Sequence, residues 1–222
     1  MPAHRDIPHD DTFSRLAIAW FRSTSQGVTV RRFNRDEAIY LDSEPAQSVL
    51  CLDSGFVKIV SDTPDGRECA LEVRMKDELF GELCVCGHTA RRESAFALSK
   101  TTVRIAPMAR FMEFVEDQGL QKELLRHLAN RVVLQQHNIA ILLLESCERR
   151  LAHTLLRLGD QAGTDETLIP IRLSHGELGD MIGTTRSRVG QFLKNFRASG
   201  LIQDFDDGGV HIDRERLQAF CR

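Results

Sequence analysis

Arg186, Arg188, Lys194 and Arg197 fall between Met181 and Gln203, a stretch without a single Asp or Glu. Thr184, Thr185, Ser187 and Gln191 are interleaved with them. Guanidinium groups fork onto guanine O6 and N7, a carboxamide pairs with adenine, and hydroxyl or ammonium groups take phosphate oxygens. In a chain of formal net charge −3, this is a local cationic footprint rather than a diffuse one. The plain alternative is a solvated basic face on an ordinary helical domain. The spacing around these residues decides between the two.

Ser174-His175-Gly176-Glu177 has the form of a capping box, in which Ser174 and Glu177 each satisfy an orphan amide at a helix start. Leu178, Met181 and Ile182 then share one helical face, and Gly183 stands where the chain must turn. Thr184 or Thr185 can cap a second helix that buries Val189, Phe192, Leu193 and Phe196. Arg186, Ser187, Arg188 and Gln191 are left free near its start, where a recognition helix reaches base edges. Leu173–Ile202 therefore reads as a helix-turn-helix, with Ser174, Thr184, Thr185, Arg186, Ser187, Arg188, Gln191 and Lys194 as candidate DNA contacts. The region from Ser146 to Arg222 is neutral, with 11 Lys and Arg against 11 Asp and Glu, so affinity must come from where the charges sit.

A second cluster is Cys84-Val85-Cys86-Gly87-His88, whose thiols and imidazole could ligate haem or a metal, or undergo oxidation. Buried thiols packing a core are the alternative. The six cysteines lack the spacing of a zinc finger or a disulfide scaffold. No Ser-His-Asp, P-loop or zinc-protease pattern supplies catalytic candidates, and an enzyme is not expected.

A length of 222 residues suits two modest domains. No apolar run approaches the roughly 20 residues of a membrane span, and MPAHRDIPHDD carries no apolar signal region, so a cytoplasmic location is expected. Phe13, Leu16, Ala17 and Trp20 mark a short helix over Thr12–Phe21. Short apolar or alternating segments follow at Val28–Phe33, Ala38–Leu41, Ser48–Leu52, Phe56–Ser61, Arg67–Met75 and Thr102–Ala106, separated by turns such as Asp53-Ser54-Gly55 and Thr63-Pro64-Asp65-Gly66. They predict an antiparallel barrel or jelly roll. Gly119–Leu144 reads as one long helix, with Leu125, Leu128, Val132, Gln135, Ile139 and Leu142 at a and d positions of a coiled coil. A stripe that long exceeds what one small roll can cover, so a two-fold dimer along it is expected. Ser146–Arg149 is the expected hinge, with Leu151, Leu155, Leu156 and Leu158 opening the next helix. Leu168–Arg172 is a candidate strand, and Gln203–Asp213, with Asp207-Gly208-Gly209 at its tip, a hairpin wing.

The run Gly183-Thr184-Thr185-Arg186-Ser187-Arg188-Val189 resembles the recognition segment of the CRP/FNR family of bacterial transcription regulators. The likeness covers nearly the whole chain, including Ser54-Gly55-Phe56-Val57-Lys58-Ile59 and Phe80-Gly81-Glu82-Leu83. It implies an α+β architecture: an N-terminal cyclic-nucleotide-binding-type antiparallel β-roll over 1–118, a dimerisation helix over 119–145 and a C-terminal winged helix-turn-helix over 146–222. It further implies a homodimer on double-stranded DNA with a near-palindromic operator, and RNA polymerase as a partner.

In that family the Gly-Glu-Leu turn and a following Arg-Ser or Arg-Thr hold the ribose and cyclic phosphate of cAMP. The resemblance carries this onto Gly81, Glu82, Leu83, Ser94 and Ala95, with Gln135 and Gln136 where the base is contacted. It departs at the phosphate arginine, where Glu93 stands, and Arg92 is the candidate to swing in instead. The effector is thus open between cAMP or cGMP, haem or redox chemistry, another small molecule and none. The iron–sulfur type is disfavoured, since no cysteine precedes Cys51. Where cyclic AMP receptors of the family carry Arg-Glu and a second Arg, this chain has Arg186, Ser187 and Gln191, which implies a half-site keeping one guanine, relaxed at the next base and turned toward A·T. A cyclic-nucleotide-binding regulatory module acting on a protein partner is the rival function.

Overall fold

Strand β3, Ser48–Ser54, is buried on both sides, and its alternation sorts the N-terminal part of the chain into two cores. Val49 and Cys51 face a cluster of Phe13, Ala17, Phe21, Phe111, Phe114, Val115, Leu120 and Leu124. Leu50 and Leu52 face the interior of the roll, with Phe33, Tyr40, Val57, Ile59, Phe80, Ala95, Ala97 and Val103. A register slip of one residue would exchange the two sets. The structure is a computed structural model and describes residues 12–24, 26–62, 68–161, 168–169, 173–205 and 209–222. The expected turn at Thr63-Pro64-Asp65-Gly66, the end of the strand expected over Leu168–Arg172, the wing tip at Asp207-Gly208 and the first eleven residues lie outside them.

The element order is α1 (Thr12–Ser23), β1 (Thr29–Phe33), β2 (Ala38–Tyr40), β3, β4 (Val57–Asp62), β5 (Glu68–Arg74), β6 (Leu79–Phe80), a 3₁₀ turn (Glu82–Cys86), β7 (Ser94–Ala97) and β8 (Thr101–Pro107). Then come α2 (Met108–Asp117), α3 (Gln121–Leu144), α4 (Cys147–Gln161), β9 (Leu168–Ile169), α5 (His175–Ile182), α6 (Arg186–Ala198), β10 (Ile202–Asp204), β11 (Val210–Ile212) and α7 (Arg214–Phe220). Two four-stranded sheets, ordered β1-β8-β3-β6 and β2-β7-β4-β5, form the expected antiparallel roll. Five elements were not anticipated from the sequence: β6, the 3₁₀ turn, β7, α2 and α7. α2 buries Phe111, Phe114 and Val115, and Trp20 stacks on Phe114 with centroids 4.9 Å apart.

The chain divides into two compact units, Met1–Ile59 with Val73–Ile139 and Val60–Glu72 with Ala140–Arg222. The boundary falls inside α3, whereas the sequence suggests boundaries at its two ends. In the second unit α4 buries Leu151, Ala152, Leu155, Leu156 and Leu158, and packs against α5, α6 and α7. The sheet β10-β11-β9 closes this unit, with Ile202 opposite Ile212 in register. That pair gives the two arms of the expected wing.

On α3 the residues expected at the seam differ in exposure. Leu125, Val132, Ile139 and Leu142 are 68, 57, 53 and 47 % exposed in the single chain. Leu128 departs from this set, because it packs against the Phe13–Phe111 cluster. Gln135 is half-buried.

Candidate nucleic-acid interface and sensor turn

The start of α5 carries the anticipated capping box. Ser174 Oγ accepts from the Glu177 amide at 3.1 Å, and Glu177 Oε2 accepts from the Ser174 amide at 2.6 Å. α5 ends at Gly183 with φ 66°, a left-handed conformation that costs a residue with a Cβ. Gly179 matters through space: a Cβ there would lie 2.7 Å from the Thr184 carbonyl oxygen, so only glycine lets the turn fold back this tightly. Thr185, rather than Thr184, caps α6, its Oγ1 accepting from the Arg188 amide at 3.4 Å.

α6 buries Val189, Leu193 and Phe196 and leaves Arg186, Ser187, Arg188, Gln191 and Lys194 exposed. Phe192, expected in the core, is only half-buried and lies under the Arg188 guanidinium, 5.6 Å from its ring centroid. The cationic footprint is also narrower than the acid-free stretch suggests. Asp204 of β10 holds Arg197 through both carboxylate oxygens, at 2.8–3.0 Å. Arg186, Arg188 and Lys194 then make up the basic surface of α6.

The end of α3 and the start of α4 are tied by Arg150, which donates to the Leu142 carbonyl at 3.2 Å and to Cys147 Sγ at 2.8 Å. Burial alone would raise the Cys147 thiol, but hydrogen bonds from Arg150 and Thr184 and the nearby Arg188 charge outweigh it and lower its pKa. Burial instead pushes Cys51 up to about 12 and Cys221 to about 11, and raises Cys84 as well. Sequence reasoning passed over Cys147 and Arg150. Their spacing of three on a helix was the available signal.

The second site is the turn at Gly81, φ 71°. Glu82 is fully buried, ion-paired with Arg131 of α3, and its Oε1 lies 3.8 Å from His127 Nε2. Among the described residues its other oxygen, Oε2, has no hydrogen-bond partner. His127 in turn lies 3.3 Å from Ser14 Oγ and packs on Phe13. The arginine that enters the turn is Arg91, not Arg92. Arg91 is buried, donating to the Gly81 carbonyl and the Ser48 carbonyl, each at 2.8 Å, and to Ser48 Oγ at 3.0 Å. Its guanidinium also lies 4.3 Å from the Tyr40 ring centroid.

Arg92 is exposed because residues 89–91 run antiparallel to 43–46, with Arg91 N–H donating to Glu44 O and Ala46 N–H to Thr89 O. Neighbours on such a strand point opposite ways. Glu93 accepts from the Tyr40 hydroxyl at 3.0 Å, and burial together with the Glu93 charge holds that phenol protonated. Ser94 Oγ accepts from the Asp42 amide at 2.9 Å, and Ala95 lies in the roll core. Leu83 and Gln136 are exposed.

These residues meet a cyclic phosphate poorly. Oε2 of Glu82 could accept from a ribose hydroxyl. Yet the buried guanidinium is already committed to carbonyls, and the carboxylate of Glu93 stands two residues from it. As for the thiol cluster, Cys84 is buried and donates to the Gly81 carbonyl at 2.8 Å, while Cys86 and His88 are exposed.

A β-roll, a long helix and a winged helix-turn-helix with a cationic reading face make up a transcription regulator with an effector-type domain. Family models match both parts: the Cyclic nucleotide-binding domain over residues 30–118 and the Crp-like helix-turn-helix domain over 149–220. The chain is 30 % identical over 196 residues to the CRP-like cAMP-activated global transcriptional regulator of Mycobacterium tuberculosis, covering 86 % of this chain and 87 % of that one. Among solved structures, a CRP-family transcriptional regulator from Thermus thermophilus is similar, with a TM-score of 0.70 at 28 % identity, covering 86 % of this chain and 96 % of the other. FixK2 from Bradyrhizobium japonicum shares the fold, with a TM-score of 0.73 at 21 % identity and the same coverages. The chain belongs to the CRP/FNR family of transcription regulators.

Two outcomes follow from this geometry. Arg91→Ala removes the guanidinium from the carbonyls of Gly81 and Ser48, leaving Gly81 the weaker Cys84 thiol, and should lower unfolding free energy by about 2–4 kcal/mol, whereas Arg92→Ala should stay within about 0.5 kcal/mol. Denaturant melts of the two variants check this, and equal effects would mean that Arg91 does not hold the turn. Limited alkylation with iodoacetamide at neutral pH, read by peptide mass analysis, should label Cys147 ahead of Cys221, which has similar exposure but a raised pKa. Equal labelling would contradict the lowered thiol.

Proposed function

We propose that the chain acts as a homodimer joined along α3, with its two α6 helices entering major grooves about 34 Å apart on a near-palindromic operator. The observation that carries this reading is α6 itself. Its apolar side is buried by Val189, Leu193 and Phe196, and the opposite side offers Arg186, Ser187, Arg188, Gln191 and Lys194 without a neighbouring carboxylate of its own helix. In this reading Arg186 forks onto guanine, and Ser187 accepts more than one base. Gln191 favours adenine, and Arg188 adds a base or phosphate contact. Ser174, Thr184, Thr185 and Lys194 take phosphates. The exposed apolar residues Leu125, Val132, Ile139 and Leu142 support the seam.

In this proposal the protein regulates rather than catalyses, and works in the cytoplasm with RNA polymerase as a further partner; the relatives named above are transcriptional regulators. Among the described residues no helix is long and apolar enough to cross a membrane. The effector of the roll is not proposed to be a cyclic phosphate, because Arg91 would first have to leave the Gly81 and Ser48 carbonyls. The cyclic-nucleotide module acting on a protein partner has no observation in its favour beyond the roll.

Arg186→Ala should abolish selection of a specific operator while the dimer stays folded, since a good bidentate contact is worth about 1–3 kcal/mol. Lys194→Ala should instead weaken all sequences alike and shallow the salt dependence. Binding titrations on selected and random DNA at several salt concentrations separate the two, and an operator held equally well by the Arg186 variant would remove that residue from base reading. Ile139→Asp places a charge opposite its own copy and should shift the protein to monomer in sedimentation at micromolar concentration, with tight operator binding lost as well. A dimer unchanged by that substitution would exclude the α3 seam.

A further inference from the structure

Gln191, the residue of α6 that stands where an arginine is usual, has its carboxamide bonded along its own helix. Its Nε2 donates to Asn195 Oδ1 at 3.0 Å, one helical turn along. Asn195 Nδ2 donates in turn to Glu148 Oε1 of α4 at 3.4 Å. An ionised carboxylate only accepts, so the chain of bonds has one direction. Glu148 requires the amide side of Asn195, which leaves the Asn195 carbonyl for Gln191. That carbonyl requires the amide side of Gln191.

The consequence reaches the base. In this scheme Asn195 holds the N–H of Gln191 that is trans to Oε1, which leaves the other N–H and Oε1 side by side. This donor–acceptor pair matches adenine, which presents N7 as acceptor and the N6 amino group as donor. A glutamine without the relay exchanges its two ends by turning its last torsion. It then sets a donor where adenine also donates, and so admits guanine O6 or thymine O4.

We infer that Glu148 and Asn195 are specificity-determining positioning residues: through a one-way relay from α4 they orient Gln191 to read adenine in the operator half-site. Glu148 lies outside α6 and contacts no base in this scheme. The inference rests on the proposal that α6 reads DNA.

The test is selection from a random DNA pool by the full-length dimer, followed by titration on the selected operator and its variants at the position facing Gln191. The wild type should prefer adenine there by roughly tenfold or more. In Glu148→Gln, whose side chain can donate or accept, and in Asn195→Ala, the preference should fall to within about twofold at that position alone, with the guanine facing Arg186 kept. Asn195→Asp loses the bond to Glu148 but still offers Gln191 an acceptor, so it should bind all sequences more weakly and retain the adenine preference. That last result separates orientation from a merely structural role, which would lower affinity evenly in all three variants.

An unchanged base preference in both Glu148→Gln and Asn195→Ala overturns the relay, and so does a lost preference in Asn195→Asp. A wild-type protein that selects no sequence overturns the DNA-reading proposal, and the relay with it.

Discussion

The reading head depends on a missing side chain. A Cβ on Gly179 would come within 2.7 Å of the Thr184 carbonyl, and no flexible group is there to yield. With that space open, the Gly179 carbonyl accepts the amide of Thr184 at 2.9 Å, and α6 can begin directly at Arg186. The caps on either side act on the same few residues. Ser174 and Glu177 fix where α5 starts, and Thr185 fixes where α6 starts. The direction in which Arg186 and Ser187 project is therefore set by local backbone chemistry before any packing is counted. Val189, Leu193 and Phe196 then hold α6 against the rest of its unit.

The helix-turn-helix was legible because its signals are local: a capping box, a glycine turn and an apolar spacing all lie within thirty or so residues. The roll was legible in outline through alternating segments such as Ser48–Leu52. What escaped is what depends on partners distant in sequence, or on segments too short to carry a period. β6 has two residues and β7 sits behind Arg91-Arg92-Glu93, a run that reads as loop. α2 has an apolar pattern of its own, yet it begins straight after strand β8, with Pro107 alone marking the change. Leu128 fits a coiled-coil position as well as Leu125 does, and only the fold shows that it covers the Phe13–Phe111 cluster. Asp204 lies just beyond the stretch whose lack of acids drew attention, and the turn into β10 brings it back onto Arg197.

The sensor turn shows the limit of transferring a motif. Gly81, Glu82, Ser94 and Ala95 occupy the expected places, but each polar member has been given an internal partner. Glu82 is paired with Arg131, and Arg91 serves the carbonyls of Gly81 and Ser48. A buried guanidinium without such partners would cost several kcal/mol, so these bonds are a condition of Arg91 being inside at all. The alternation of the strand-like segment 89–91 decides which arginine goes in, a distinction that the pair Arg91-Arg92 conceals in sequence.

The Arg197–Asp204 pair has a thermodynamic consequence for any polyanion that meets this face. An exposed arginine in solution keeps company with mobile anions, and a phosphate backbone with condensed cations; their union sets both free and gives association its dependence on salt. Arg197 already carries its counter-charge as part of the fold, held at two oxygens. To engage a phosphate it would have to abandon a fixed carboxylate, and Asp204 would then face the same phosphate field unaccompanied. In the proposed DNA complex, the ions released at α6 are then those of Arg186, Arg188 and Lys194, fewer than the basic residues of that helix would suggest.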